Sequence, residues 1–268
     1  GNYLNHEMTE IIDKTLTDNG IQVEMSQSIT AFKGDDKVAS VETKRGSYPA
    51  DLVIQAAGVQ PNTEWLKGVV DLTDRGFINV DGYLRTNVPD VFAIGDAILP
   101  LSIPAGKPSP IALATTARRE AQYVVNHIFE KKPTQIFKGV VGSSALHVFD
   151  EHFASTGVNE FTAERSNVEI VNSHYVDHIR PAYVPKAEGN VRVDVDITFD
   201  PHTHIVLGGA VLSTADMTAQ GNVLALAVEH RLTVEDLAEA DFFFQPGYDR
   251  QWSLINLAAQ HALGYARF

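Results

Sequence analysis

The stretch Val91-Phe92-Ala93-Ile94-Gly95-Asp96-Ala97 joins a short apolar run to a glycine and a carboxylate. Continuous apolar residues predict a strand buried on both faces. Gly95 lets the backbone approach another group closely, and Asp96 stands at the strand's C-terminal end, where ligands of open α/β sheets bind. A carboxylate there accepts hydrogen bonds from ligand hydroxyls, such as those of a sugar or ribityl chain. A buried strand followed by an Asp helix cap accounts for the same residues equally well. A second candidate is the helix predicted to open at Ser109-Pro110, with Ser as N-cap and Pro at the first helical position. Its first turn, Ile111-Ala-Leu113-Ala114-Thr115, is small and apolar with free backbone N–H groups. An ordinary capped helix is the alternative there.

Other chemistries find less support. His202 and His204 form an H-x-H pair, and His147, His152, His174 and His178 share one region. Such spacing can ligate a metal. The pair sits at a predicted turn with no acidic cluster beside it, so the expectation is surface histidines and no metal site. The chain has no cysteine, which excludes disulfides and thiolate metal sites within it. No G-x-S-x-G nucleophile elbow occurs, so an α/β-hydrolase reading fails.

Composition narrows the partners. A net charge of −13 repels polyanions, and no Lys/Arg cluster offsets it, so no nucleic acid is expected. Apolar and charged contents of 44% and 21% suit a globular protein. No apolar stretch approaches the roughly 20 residues that span a bilayer, and Gly1-Asn-Tyr-Leu-Asn-His-Glu7 lacks the pattern of a signal peptide. A cytoplasmic protein without a membrane partner is the default expectation.

The elements that must position the candidate residues follow from periodicity. Met8, Ile11, Ile12 and Leu16 recur at helical spacing, and Asp18-Asn19-Gly20 supplies a stop. Strands are expected at Ile21-Gln-Val-Glu-Met25 and from Asp51 to Ala57. A hairpin around Lys33-Gly-Asp-Asp-Lys37 should join Ile29 to Phe32 with Val38 to Thr43. Asp81-Gly82 is a tight-turn pair between Phe77-Ile-Asn-Val80 and Tyr83-Leu-Arg85. Leu99 to Pro110 reads as a loop. The helix that follows should reach about Phe129, with Lys131-Lys132 near its C-terminal end and Pro133 as the stop.

From Phe137 onward the pattern is mixed. Segments alternate around Asp150-Glu151. Val191 to Phe199 alternates strictly, which predicts a half-buried antiparallel strand. Asp200-Pro-His-Thr203 turns the chain back through Ile205 to Leu212. Helices are expected over Ala215 to Glu229, from Thr233 with Asp236 at N3, and from Ser253 to Tyr265. Strands followed by helices suggest an α+β layer domain.

Thr86 together with Val91-Phe-Ala-Ile-Gly-Asp96 resembles the second flavin-binding motif of the FAD-dependent pyridine nucleotide–disulphide oxidoreductases. Asp51-Leu-Val-Ile-Gln-Ala-Ala-Gly58-Val-Gln-Pro61-Asn62 resembles the strand and loop that close that family's NAD domain, and Phe242-Phe-Phe-Gln-Pro246 its C-terminal segment. Together they resemble the NADH peroxidase and NADH oxidase branch over essentially the whole chain. The resemblance implies that Asp96, flanked by Gly95 and Ala97, binds the ribityl and pyrophosphate region of FAD. It implies that Leu113, Ala114 and Thr115 open a helix aimed at the flavin pyrimidine, where the helix dipole stabilises negative charge. Gly58 falls to the NAD side. Phe244, Gln245 and Pro246 would lie at a homodimer interface near the partner's active site.

The fold so implied is α/β, with partial nucleotide-binding domains followed by an α+β dimerisation domain. Residues 1–59 would be the C-terminal half of the NAD-binding domain, 60–136 the C-terminal segment of the FAD-binding domain, and 137–268 the dimerisation domain. The family's G-x-G-x-x-G phosphate loops and its redox cysteine do not occur here. The sequence therefore reads as the C-terminal part of a longer flavoprotein using FAD and NAD(H), with its cysteine upstream and no catalytic residue of its own. By itself it is expected to be inactive and to retain neither cofactor. The acceptor would be peroxide or dioxygen, because the His-Pro-Thr motif of glutathione reductases is missing. The alternatives are a coenzyme A-disulphide reductase and a non-catalytic dimerisation module.

Overall fold

The computed structural model describes residues 3–130 and 134–265. Expectations for Lys131, Lys132 and Pro133 lie outside the described residues. The chain divides into a larger unit, residues 1–15 and 61–268, and a smaller one, residues 16–60. The division falls within the first helix, α1 (His6–Asp18). That helix ends as its sequence demands: Gly20 adopts φ +81°, and the Gly20 and Ile21 amides donate to the Thr17 and Leu16 carbonyls.

In the smaller unit, β1 (Ile29–Lys33), β2 (Ser40–Thr43) and β3 (Ser47–Pro49) form an antiparallel meander. The expected β1–β2 hairpin is present, with Phe32 opposite Val41. The strands expected at residues 21–25 and 51–57 do not form. Their apolar composition suits a strand, but a strand needs a ladder partner, and no described segment pairs with them. Leu52 and Ile54 are consequently 78% and 83% exposed.

The larger unit begins with turns and single bridges. Asp81 Oδ1 accepts the Tyr83 and Arg85 amides at 2.8 and 3.0 Å, so the tight turn forms. Its flanks pair elsewhere, Ile78 with Leu72 and Arg85 with Phe92. Residues 91–94 are not the fully buried strand expected: one bridge holds them, Ala93 is buried, and Val91 and Ile94 are exposed. The same lack of neighbouring strands explains it. A two-strand hairpin, β4 (Leu101–Ser102) and β5 (Lys107–Pro108), replaces the expected loop. Helix α2 spans Ala114–His127, starting later than Ser109-Pro110 predicts. Ser109 Oγ caps nothing and instead donates to the Lys107 carbonyl.

The C-terminal region is one antiparallel sheet in the order β6-β7-β10-β9-β8. Its strands are β6 (Ser144–Val148), β7 (Glu151–Gly157), β8 (Val171–His178), β9 (Arg192–Phe199) and β10 (Val206–Ser213). A short helix, α3 (Glu160–Ser166), follows β7 with an Asn159 capping box. Three more, α4 (Gln220–Glu229), α5 (Val234–Glu239) and α6 (Leu254–Ala262), share a core with Val193, Val195 and Ile197 of β9. The Thr233–Asp236 capping box forms as the spacing predicts, and Ser253 caps α6.

Strand β9 departs from its half-buried reading, because Asp194, Asp196 and Thr198 on its polar side are buried too. The opposite face of the sheet carries a second cluster, in which Phe153, Ala210 and Leu212 pack with Leu4 and Met8 from the chain's start. Among the described residues no helix is long and apolar enough to cross a membrane.

Candidate functional site

Gly95, Asp96 and Ala97 form a single 3-10 turn. Gly95 takes φ +70°, a conformation that L side chains rarely adopt. A Cβ built on it would stand 3.5 Å from Ala117 Cβ, so the turn abuts the first turns of α2. The Ile78 amide donates to Ala97 O and the Ile98 amide to Gly95 O, at 2.8 and 3.1 Å, which fixes the turn against the small apolar cluster around Ile98. Asp96 is exposed, and among the described residues its carboxylate accepts no hydrogen bond.

Leu113 is the N-cap of α2 with extended backbone and no side-chain cap. Ala114 and Thr115 are therefore its first two helical residues, and their N–H groups belong to the set that an α-helix leaves without internal partners. The predicted residues Gly95, Asp96, Ala97, Leu113, Ala114 and Thr115 thus come together on one turn and one helix start. Both are features that bind anionic or hydroxyl-rich ligands: a carboxylate acceptor beside a dipole-positive helix end.

Sequence reasoning missed Glu120. It lies on the buried face of α2 between Thr116 and Val124 and is 0% exposed. Its Oε2 accepts the Gly95 amide at 2.6 Å, while Oε1 is buried with no hydrogen-bond partner. Burial pushes its carboxyl above the ordinary carboxylate range, the Gly95 hydrogen bond opposes this, and the Asp96 charge adds to it. Only the i, i+4, i+8 spacing with Thr116 and Val124 could have flagged it, and a lone Glu in a helix normally faces water.

A second polar cluster lies in the C-terminal sheet. His174 Nδ1 stands 2.7 Å from Asp196 Oδ1, and Nε2 3.1 Å from Asp194 Oδ1. Arg192 grips Asp194 through two nitrogens, and Asn5 Nδ2 donates to Asp196 at 3.0 Å. Hydrogen bonds to Asp194 and Asp196 push the His174 imidazolium up to about 10 against its burial. Burial raises Asp194, but His174 and Arg192 outweigh it and hold that carboxyl below its usual range. The cluster is internally neutralised and anchors the chain's start to the sheet.

Gly58 lies in the smaller unit with φ +99° and open space where a Cβ would be. Phe244, Gln245 and Pro246 form an exposed turn in which Gln245 O accepts the Tyr248 and Asp249 amides. No hydrogen bond among the described residues joins that turn to Gly95–Ala97. His202 meets Glu169 and His204 meets Glu235, while His147 and His152 stack at 4.1 Å. Among the described residues no three His, Asp or Glu side chains are grouped to hold a metal ion.

Residues 2–121 match the pyridine nucleotide-disulphide oxidoreductase domain, and residues 143–254 match the dimerisation domain of that group. An NADH oxidase from Enterococcus faecalis is 36% identical over 263 residues, covering 97% of this chain and 58% of its own length. The solved structure of a water-forming NADH oxidase from Lactobacillus brevis bound to NADH superposes with a TM-score of 0.91 at 32% identity, over 98% of this chain and 57% of that one. A coenzyme A disulphide reductase from Staphylococcus haemolyticus is 25% identical over 260 residues, again 97% of this chain and 57% of the relative. The chain therefore spans somewhat over half the length of the relatives it matches.

Proposed function

The chain belongs to the pyridine nucleotide-disulphide oxidoreductase family, and from that premise we propose that it is the C-terminal part of a flavin-dependent NADH oxidase or NADH peroxidase. The observation that carries this reading is the exposed, unpartnered Asp96 carboxylate held against the uncapped start of α2. Asp96 would accept hydrogen bonds from the ribityl and pyrophosphate region of FAD. The amides of Ala114 and Thr115 would face the negative end of the isoalloxazine. FAD, when bound, supplies the hydride and electron chemistry between NADH and the acceptor. The protein's part is to position it, to stabilise its charge and to keep water out.

In this reading Gly58 faces the NAD side, and residues 137–268 form a homodimer with Phe244, Gln245 and Pro246 near the partner's active site. Residues 1–59 and 60–136 belong to the NAD- and FAD-binding domains, and the protein works in the cytoplasm. The cysteine that passes electrons to dioxygen or peroxide lies outside these 268 residues. A coenzyme A-disulphide reductase is the second reading, favoured by the Staphylococcus haemolyticus relative. Its mark would be NADH-dependent release of thiol from coenzyme A disulphide.

The test is Asp96→Ala in the flavin-loaded parent. Loss of a charge-assisted hydrogen bond should weaken FAD binding by roughly 1.5–3 kcal/mol, read by fluorescence titration. Wild-type affinity in the variant would sink the assignment. The 268 residues alone, mixed with FAD and NADH, should consume NADH with neither peroxide nor dioxygen beyond the free-flavin background, because no thiolate is present to react.

A further inference from the structure

The flavin reading leaves one feature unused: a carboxyl side chain with no exposure whose two oxygens are treated differently. Oε2 of Glu120 takes the Gly95 amide, and Oε1 has no donor. A buried ionised carboxylate with a single hydrogen bond is costly, whereas the neutral acid is much less so. Among the described residues no cation compensates it. Asp96 is the charged group that acts on Glu120, and it is of the same sign. Arg118 and Arg119, next to it on α2, are exposed. Val124, one turn further along, belongs to an apolar cluster with Val70, Ile78, Leu84, Ala93 and Ile98.

We propose that Glu120 is a positioning residue for the ligand-binding Asp96: it holds the Gly95 peptide through Oε2 and so fixes the direction of the Asp96 carboxylate. Gly95 sits in a left-handed conformation at the start of a one-turn 3-10 helix. Its amide gives α2 a hydrogen bond to that turn, beside the contact with Ala117. Without the acceptor, the part-buried Gly95 amide is orphaned and the turn is free to rotate Asp96 away. With Glu120 ionised, two carboxylates of like charge face each other across the turn, and Asp96 is displaced electrostatically instead.

This inference rests on the flavin reading of Asp96, and its test separates the two. FAD affinity is titrated by fluorescence from pH 5 to 9 in the flavin-loaded parent protein and in its Asp96→Ala, Glu120→Gln and Glu120→Leu variants, with thermal midpoints of each apoprotein. The wild type should lose about tenfold in affinity as the pH rises, the size of one unit of proton linkage. Glu120→Gln retains an acceptor for the Gly95 amide and cannot ionise, so its affinity should match the acidic wild type and stay flat with pH. Glu120→Leu should bind about five- to tenfold more weakly than the wild type at pH 5 and stay flat with pH, as expected for an unsatisfied amide. If Glu120→Gln follows the same pH profile as the wild type, or a folded Glu120→Leu binds FAD as the wild type does at pH 5, the inference is overturned. If Asp96→Ala leaves binding unchanged, the flavin reading itself fails.

Discussion

His174 shows what a single side chain can hold together. It bridges two carboxylates that are 1% and 0% exposed and would otherwise repel within one strand. Its folded pKa of about 10 lies above the ordinary histidine value of 6.5. Its stabilising contribution is therefore fully present below about pH 6.5 and is lost as the pH rises through about 10. Replacing His174 by Leu removes the partner of buried charges, a change that costs about 3 kcal/mol near neutrality. Arg192 and Asn5 remain to absorb part of the loss. Urea denaturation at pH 6 and pH 10.5 checks this: the gap between wild type and variant should shrink at the higher pH. A gap independent of pH would mean that His174 is not charged in the folded protein. None of this was legible in sequence. The alternation of β9 marks Asp194 and Asp196 as a solvent face, and the asparagine that satisfies Asp196 is 191 positions away. Asp96 is exposed, which is where a sequence places a charge by default. Glu120 breaks that default, and only its spacing with Thr116 and Val124 hints at it.

At the scale of elements, the Thr233 capping box transferred from sequence to structure, while the Ser109 cap and several strands did not. The Thr233–Asp236 box forms where its spacing puts it because it is complete within four residues. Residues 21–25, 51–57 and 91–94 have the composition of strands and no ladder among the described residues, since a strand is defined by a partner that its own residues cannot encode. The start of α2 slipped to Ala114 for a related reason: residues 109–113 spend their hydrogen bonds on the β4–β5 hairpin and the helix N-cap.

Packing between elements gives a further expectation. Gly221, near the start of α4, would carry a Cβ only 2.6 Å from Ala154 Cβ on β7. Alanine at a helix position gains about 1 kcal/mol of propensity over glycine, but forcing a methyl into that contact costs about 1–3 kcal/mol. Overpacking should win, so Gly221→Ala lowers the denaturation midpoint, and adding Ala154→Gly restores it. A single variant more stable than the wild type would show that the sheet yields at no cost.

At the scale of the whole molecule, the aromatic residues near the C-terminus give an expectation for how copies associate. Phe243 and Tyr248 are 72% and 76% exposed, and Phe242, Phe244 and Trp252 are exposed beside them in the region that carries the dimerisation domain. A monomer leaving that much contiguous aromatic surface in water is disfavoured, and aromatic anchors are the residues that carry binding energy in protein interfaces. Arg250 steadies the segment from behind, pairing with Asp177 at 2.8 Å while Tyr175 donates to the same carboxylate. The segment is thus offered on a fixed support, which lowers the entropy lost on association. A two-fold homodimer burying about 1,200 Å² or more is expected. Light scattering at micromolar concentration should report twice the chain mass, and Phe243→Ala should raise the dissociation constant about 30-fold, the effect of removing roughly 2 kcal/mol at an interface centre. A monomeric wild type would refute the dimer. A dimer whose affinity is untouched by Phe243→Ala would place the contact elsewhere on the sheet domain, and would remove this segment from any role near a partner's active site.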